Sequence, residues 1–333
     1  MKRKQILFTG IAKAELKETD IPEMTPTSVK LDTEYTVVSG GTERACILGM
    51  PNVQGADFPK ALGYCGVGYV TEAGQDVKSV AVGDRCLVYH GVHASVNVVP
   101  ESDVIKVVHV EDEVNSLEAA FVIIAAMGLG GVRKTRIELG ESAMVMGLGL
   151  LGMFSVQFLR LGGAYPVIAA DPNPERRSLA LRLGADFAFD PNDDNFAAEV
   201  KRVTGGGVKA CVEVTGVSKA LEQALECAAY MGRISLLGCT RVSDCPIDYY
   251  TQVHRPGVEL IGAHNFVRPK VDSYPYHWTH RDDCTAILNF IAAKRIEVAP
   301  MVSRVVRPEA APEVYTELCC DPKFPMGTVF SWR

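Results

Sequence analysis

The run Gly147-Leu148-Gly149-Leu150-Leu151-Gly152 constrains this chain more than any other segment. It follows the short apolar stretch Ala143 to Met146 and opens Leu151 to Leu161, where apolar residues recur at helical spacing. A second apolar stretch, Pro166 to Ala170, ends at Asp171, nineteen residues beyond the last glycine. Strand, glycine turn, helix, strand and carboxylate in that order form one βαβ unit of the kind that binds a dinucleotide. In such a unit Gly147 permits the tight turn, Gly149 lets the backbone approach the pyrophosphate, and Gly152 lets the helix pack closely. The helix N-terminus at Leu150 and Leu151 then offers N–H groups to the phosphates.

Asp171 can accept both ribose hydroxyls of NAD and repels the 2′-phosphate of NADP, so NAD is the expected cofactor. Arg176 and Arg177 keep NADP open as the alternative, since either can swing toward a phosphate or lie on a solvated helix face.

A chain of 333 residues exceeds what one hydrophobic core usually supports, so two domains are expected. The first 110 residues hold short β-type runs bounded by glycine and proline, at Ser28 to Leu31, Gly66 to Thr71, Asp84 to Tyr89 and Ser95 to Val99. They read as an antiparallel, barrel-like lobe. The texture changes near Leu117, where Ser116 reads as the N-cap of a helix. Strands at Ala210 to Val214, Arg233 to Leu237 and Val258 to Ile261 then alternate with helices at Glu175 to Leu183 and Ser218 to Ala229. After them come a helix at Asp282 to Ala293 and a closing strand at Gly327 to Phe330. The expected architecture is α/β: a doubly wound parallel Rossmann sheet over 120–265, inserted into a β-rich domain made of 1–119 and 266–333.

Forty acidic against 34 basic residues, without a basic stripe, exclude nucleic acid as an expected partner. The basic start Met1-Lys2-Arg3-Lys4 lacks the apolar stretch of a signal peptide, and no segment of about 18 apolar residues runs unbroken. No membrane partner and a cytoplasmic location are therefore expected. The ten cysteines are scattered with no C-x-x-C pair, which suggests neither a disulfide framework nor a ribbon-type zinc site.

Several stretches, taken in order, resemble the medium-chain dehydrogenase/reductases, the superfamily of zinc alcohol and polyol dehydrogenases, over essentially the whole chain. They are Gly83-Asp84-Arg85, His93-Ala94 to Val99-Pro100, Glu118-Ala119-Ala120, the glycine run, Val212-Glu213-Val214-Thr215-Gly216, and Gly232-Arg233-Ile234 leading to Gly238. The resemblance implies that the β-rich catalytic domain is GroES-like and formed by both chain ends. It also implies that Thr215 and Gly238 help bind the cofactor, and that the chain forms a homodimer or homotetramer through edge strands near Val258 to Ala263.

The metal pattern of that superfamily is absent. Where its zinc enzymes carry a cysteine, a His-Glu pair and a third helical ligand, this chain has Gly40-Gly41-Thr42-Glu43, Gly63-Tyr64-Cys65 and Ala120-Phe121-Val122-Ile123-Ile124. Only Cys86 lies between Gly83 and Pro100, where a four-cysteine structural site would sit. No zinc is expected, although Cys65, His93 and Glu43 are chemically able to form an improvised site.

Hydride chemistry belongs to the nicotinamide, so the protein must supply orientation and a path for the hydroxyl proton. Thr42, Glu43 and Tyr64 are the candidate catalytic residues. The competing expectation is that Thr42 satisfies a turn, Glu43 pairs with Arg44 or Arg85, and Tyr64 fills the metal's volume. Tyr276, His277 and Trp278, within the aromatic tail Ser273 to Arg281, are candidate substrate contacts, together with His93 and His264. That tail, the Gly-Thr-Glu triplet and Pro325-Met326-Gly327 are similar to the sugar and glycoside dehydrogenase branch of the superfamily. The expected function is NAD-dependent oxidation of a secondary hydroxyl of a sugar, glycoside or polyol. The alternatives are a zinc-free NADPH-dependent quinone or enoyl reductase and a non-catalytic cofactor-binding sensor.

Overall fold

In the computed structural model, which describes residues 1–53, 57–244 and 246–333, the chain begins with a hairpin of β1 (Lys2–Gly10) and β2 (Lys13–Asp20). Then follow β3 (Ser28–Val37), α1 (Gly40–Ile47), β4 (Cys65–Ala73), β5 (Arg85–Tyr89), β6 (Val96–Pro100), β7 (Val104–Lys106) and α2 (Ser116–Ala119). The N-cap of α2 is Asn115 rather than Ser116. Asn115 and Glu118 close a reciprocal capping box, and Ser116 instead bonds Glu111 through its N–H and hydroxyl.

After α3 (Val122–Lys134) come β8 (Ala143–Met146), α4 (Leu150–Leu161), β9 (Val167–Ala170), α5 (Pro174–Arg182), β10 (Phe187–Phe189) and α6 (Phe196–Thr204). The series continues through β11 (Val208–Glu213), α7 (Ser218–Cys227), β12 (Ala228–Leu236) and β13 (Glu259–Gly262). The chain ends with α8 (His280–Ala292), β14 (Arg304–Val306), α9 (Ala311–Cys320) and β15 (Thr328–Ser331).

Two units result, Met1–Ile124 with Cys284–Arg333, and Ala125–Asp283. Residues 266–283 therefore belong with the parallel sheet rather than with the β-rich unit. Arg268 holds them there by donating to the Ala126 carbonyl and pairing with Asp283.

The first unit is built on one sheet in the order β14-β15-β3-β4-β5-β7, with β6 also paired to β3; its pairs are antiparallel except β14 with β15. Alternation puts Val29, Leu31, Val70, Cys86, Val88 and Val99 into one core. A second core joins Ile6 and Phe8 of β1, Ile47 of α1, Val314, Tyr315 and Leu318 of α9, and Phe330 of β15. This second core anchors α1, on which Thr42 and Glu43 sit.

In the other unit six parallel strands lie in the order β10-β9-β8-β11-β12-β13. β8 and β9 are buried at every position, as strands covered on both faces must be. The order reverses between β8 and β11, and ligands of such sheets bind at the carboxyl ends of the strands beside that reversal. The fold is thus a Rossmann domain with a GroES-like domain. Among the described residues no helix is long and apolar enough to cross a membrane.

Candidate active site

The glycine run lies at the sheet's reversal, between the end of β8 and the start of α4. Gly147 has φ +95, a left-handed value that favours glycine, and its N–H donates to the Ala170 carbonyl at 2.8 Å. A Cβ on Gly152 would stand 1.9 Å from the Gly147 carbonyl oxygen, so α4 packs onto the turn only because this side chain is absent. Around Gly149, the N-cap of α4, a Cβ would meet nothing within 4 Å, and no side chain caps the helix. Open space in front of an uncapped helix start, where Leu150 and Leu151 begin α4, is what a pyrophosphate requires.

Asp171 is nearly buried and serves the loop as well: its carboxylate accepts Leu148 N–H and Asn173 N–H, each at 2.8 Å. Each oxygen keeps a further lone pair for a ribose hydroxyl. Arg176 stands 3.9 Å from Asp171. Arg177 is neither solvated nor poised for phosphate, because its guanidinium donates to the carbonyls of Asp171 and Pro172 and pairs with Asp190 at 3.0 Å.

Thr215 is fixed by a residue that sequence reasoning did not single out. The buried Glu213 carboxylate accepts from the Thr215 N–H and hydroxyl and from Gly216 N–H. Burial pushes the Glu213 carboxyl above its usual value, against those hydrogen bonds. Gly238 approaches so closely that a Cβ would lie 2.2 Å from Gly216 N, which brings the loops after β11 and β12 together.

In the β-rich unit the three proposed catalytic side chains divide into two groups. Glu43 is 1 % exposed; one oxygen accepts Ser39 N–H at 2.8 Å, the other accepts the Tyr315 hydroxyl at 2.7 Å, and His93 Nε2 is 3.2 Å from both. Burial raises this carboxyl, but the His93, Tyr315 and Ser39 contacts together outweigh it and hold it below its usual value. Glu43 pairs with neither Arg44 nor Arg85: Arg85 turns to Glu111, Ser116 and the carbonyls of His109 and Val114. His93 is wholly buried, with Nδ1 2.7 Å from the Thr36 hydroxyl, which also accepts Trp332 Nε1–H. It supports Glu43 from behind and has no surface to offer a substrate.

Tyr64 is half-buried, and its hydroxyl shares a short hydrogen bond with Ser39 Oγ and a further hydrogen bond with the exposed Thr42. Burial, reinforced by Cys65 and Glu43, pushes this phenol far above its ordinary range, so it stays protonated at neutral pH. Ser39 is the member that sequence reasoning missed, although its place directly before Gly40 was a signal for a group at the helix start.

The positions that hold zinc in the resembling enzymes do not fit a metal here. Gly40 has no side chain, Tyr64 is a protonated phenol, and the helical position is aliphatic. The Cys65 thiol is pushed well up by burial, Glu43 and Cys284, which disfavours the thiolate that an improvised site with His93 and Glu43 would need. Among the described residues no three His, Cys, Asp or Glu side chains form a metal-holding group. The nine described cysteines are thiols outside any disulfide; Cys245 lies outside the described residues.

His264, Tyr276, His277 and Trp278 are brought together, in the second unit, around one recess open to solvent. Tyr276 turns at φ +66 between Tyr274 and His277, whose backbones pair and whose rings stack at 4.9 Å. His264 is exposed, and its Nδ1 accepts Phe266 N–H at 3.3 Å.

A glycine-rich phosphate site at the reversal of a parallel sheet, in a chain whose other unit is GroES-like and carries a hydroxyl cluster, defines a nicotinamide-dependent oxidoreductase. Residues 151–273 match the family model described as zinc-binding dehydrogenase. The chain is 30% identical over 258 residues to L-threonine 3-dehydrogenase of Pyrococcus abyssi, covering 68% of this chain and 72% of that one. It is 27% identical over 266 residues to D-guloside 3-dehydrogenase of Escherichia coli, covering 79% and 75%. A structure described as a zinc-binding dehydrogenase of Sinorhizobium meliloti bound to NADP superposes with a TM-score of 0.82 at 22% identity, covering 99% of each chain. The chain belongs to the zinc-type medium-chain dehydrogenase superfamily and is one of its NAD(P)-dependent dehydrogenases.

Proposed function

We propose that this dehydrogenase transfers hydride between NAD and a secondary alcohol or ketone of a sugar, glycoside or polyol without a catalytic zinc. The observation that carries the zinc-free reading is the Ser39–Tyr64–Thr42 hydroxyl cluster, which stands where related enzymes hold metal. When bound, the nicotinamide supplies the hydride acceptor or donor. Gly149 and the start of α4 take its pyrophosphate, and Asp171 takes its ribose. Because Tyr64 stays protonated, it donates to the carbonyl oxygen in reduction and, in oxidation, accepts the hydroxyl proton only as its own passes to Ser39 or Thr42. The proton released on oxidation passes along the shared hydroxyls to water at Thr42. The substrate class draws on the D-guloside relative and on the aromatic side chains at the cavity.

Arg176 beside Asp171 and the NADP in the Sinorhizobium meliloti structure favour NADPH as the second reading. Titration of untagged protein is expected to show tighter binding of NADH than of NADPH. A member of a sugar, glycoside and polyol panel should then reduce NAD at a rate insensitive to chelators, with zinc well below one per chain. NADPH preference with turnover only of conjugated carbonyls would replace this reading with the quinone or enoyl reductase. Cofactor binding with no turnover would leave a sensor, and stoichiometric chelator-sensitive zinc would end the zinc-free reading.

The proposal includes a homodimer or homotetramer, because β13 is the last strand of its sheet and its outer edge is unpaired within the described residues. Light scattering is expected to give a mass of two or four chains, and a monomer at micromolar concentration would refute it.

A further inference from the structure

The cavity at the carboxyl end of β13 is lined by Arg133, Lys134 and Arg268 against a single carboxylate, Asp283. Arg268 is fully engaged: Nε donates to Asn265, Nη1 pairs with Asp283 and Nη2 donates to the Ala126 carbonyl. Asp283 is wholly buried and shared, since Arg133 Nε also donates to it at 2.7 Å. One buried carboxylate thus answers two guanidinium groups. The Arg133 guanidinium carbon lies over the Trp278 ring, 3.8 Å from its centre, and the Arg133 Nη groups have no partner among the described residues. Lys134, half-buried beside them, has no hydrogen bond or ion pair among the described residues. Burial and the charge of Arg268 lower its pKa, the response of a cation in an electropositive recess. Neither histidine offsets this charge: His264 Nδ1 accepts from Phe266 N–H, and His277 Nδ1 lies 3.2 Å from the Pro275 carbonyl. Asp282 is turned away to Ser273.

We propose that this cavity holds an anionic group, carboxylate or phosphate, of an organic substrate, gripped by Lys134 and the free edge of Arg133. A guanidinium held over a ring and by Asp283 through Nε, with its Nη edge free, suits the two oxygens of either group. The proposal rests on the dehydrogenase reading only in assigning the anion to a substrate. It narrows the sugar or polyol to an acid or a phosphate ester.

Calorimetric titrations of the protein saturated with NAD, so that the glycine loop is filled, would use sodium phosphate and sodium acetate against sodium chloride at equal ionic strength. One saturable site is expected for phosphate, acetate or both, and the arm that saturates names the group. Lys134→Gln should weaken it about tenfold, the worth of one charge-assisted hydrogen bond, with NAD affinity unchanged. Arg133→Gln should do the same, while Lys134→Gln, at a half-exposed position, serves alone if the arginine variant does not fold. No saturable heat beyond chloride, an unchanged affinity in Lys134→Gln, or anion binding abolished by NAD would each overturn the proposal. Failure of the dehydrogenase reading would show separately, as a lack of NAD reduction with the anion site intact.

Discussion

Glu43→Ala is expected to lower the unfolding free energy by roughly 2–6 kcal/mol in urea denaturation, at about 1–3 kcal/mol for each of two buried partners left unsatisfied. The carboxylate is satisfied on every side by Ser39 N–H, His93 and Tyr315, and the substitution leaves His93 Nε2 and the Tyr315 hydroxyl buried without an acceptor. Glu43→Gln keeps the volume and part of the hydrogen bonding, so about 1–3 kcal/mol is expected. The pH dependence follows from the direction of the Glu43 shift. Its native carboxyl titrates below the ordinary value of 4.5, so its contribution is complete above that value and is lost as pH falls through the lower native one. Below about pH 4.5 the wild-type stability should therefore fall more steeply than that of Glu43→Gln. Thr42→Val and Tyr64→Phe should leave the midpoint nearly unchanged and act on turnover. Equal midpoints for Glu43→Ala and wild type would show that the carboxylate is not the keystone of this core.

The contrast between these residues shows where sequence was informative. The βαβ unit was legible because its signals are local: β8 spans the expected Ala143 to Met146, and the glycines and Asp171 meet through backbone constraints a few residues apart. The Glu43 cluster was not. Tyr315 lies 272 positions away on α9, where its spacing with Val314 and Leu318 reads as plain core, and Trp332 reaches Thr36 across 296 positions. The hairpin of β1 and β2 was also missed. β2 reads Lys-Ala-Glu-Leu-Lys-Glu-Thr-Asp, buries only Ala14 fully, and exposes charge along most of its length, so period-two patterning is faint. The aromatic tail was read from the sequence as a candidate contact surface. Its cationic character was not, because Arg133 and Lys134 close a helix well before it and Asp283 reads as a helix-start acid.

Gly152→Val is expected to weaken NADH binding by about 100-fold or more, on the scale that misplacing a binding group by an ångström can cost. The reason is space, not dihedral freedom. A Cβ on Gly152 falls 1.9 Å from the Gly147 carbonyl oxygen and 2.9 Å from its carbon, and both are backbone atoms that cannot rotate away. Either α4 lifts from the turn or the turn moves. Movement of the turn strains the Leu148 N–H bond to Asp171 and the Gly147 N–H bond to Ala170, so pyrophosphate and ribose contacts fail together. Gly149→Ala separates binding from folding, because its Cβ enters open space at an ordinary φ of -73. Its melting temperature should stay close to wild type while NADH binding weakens, since the methyl group occupies the path by which the phosphates reach the helix start. Full NADH affinity in Gly149→Ala would place the pyrophosphate elsewhere and remove the glycine run from the cofactor site.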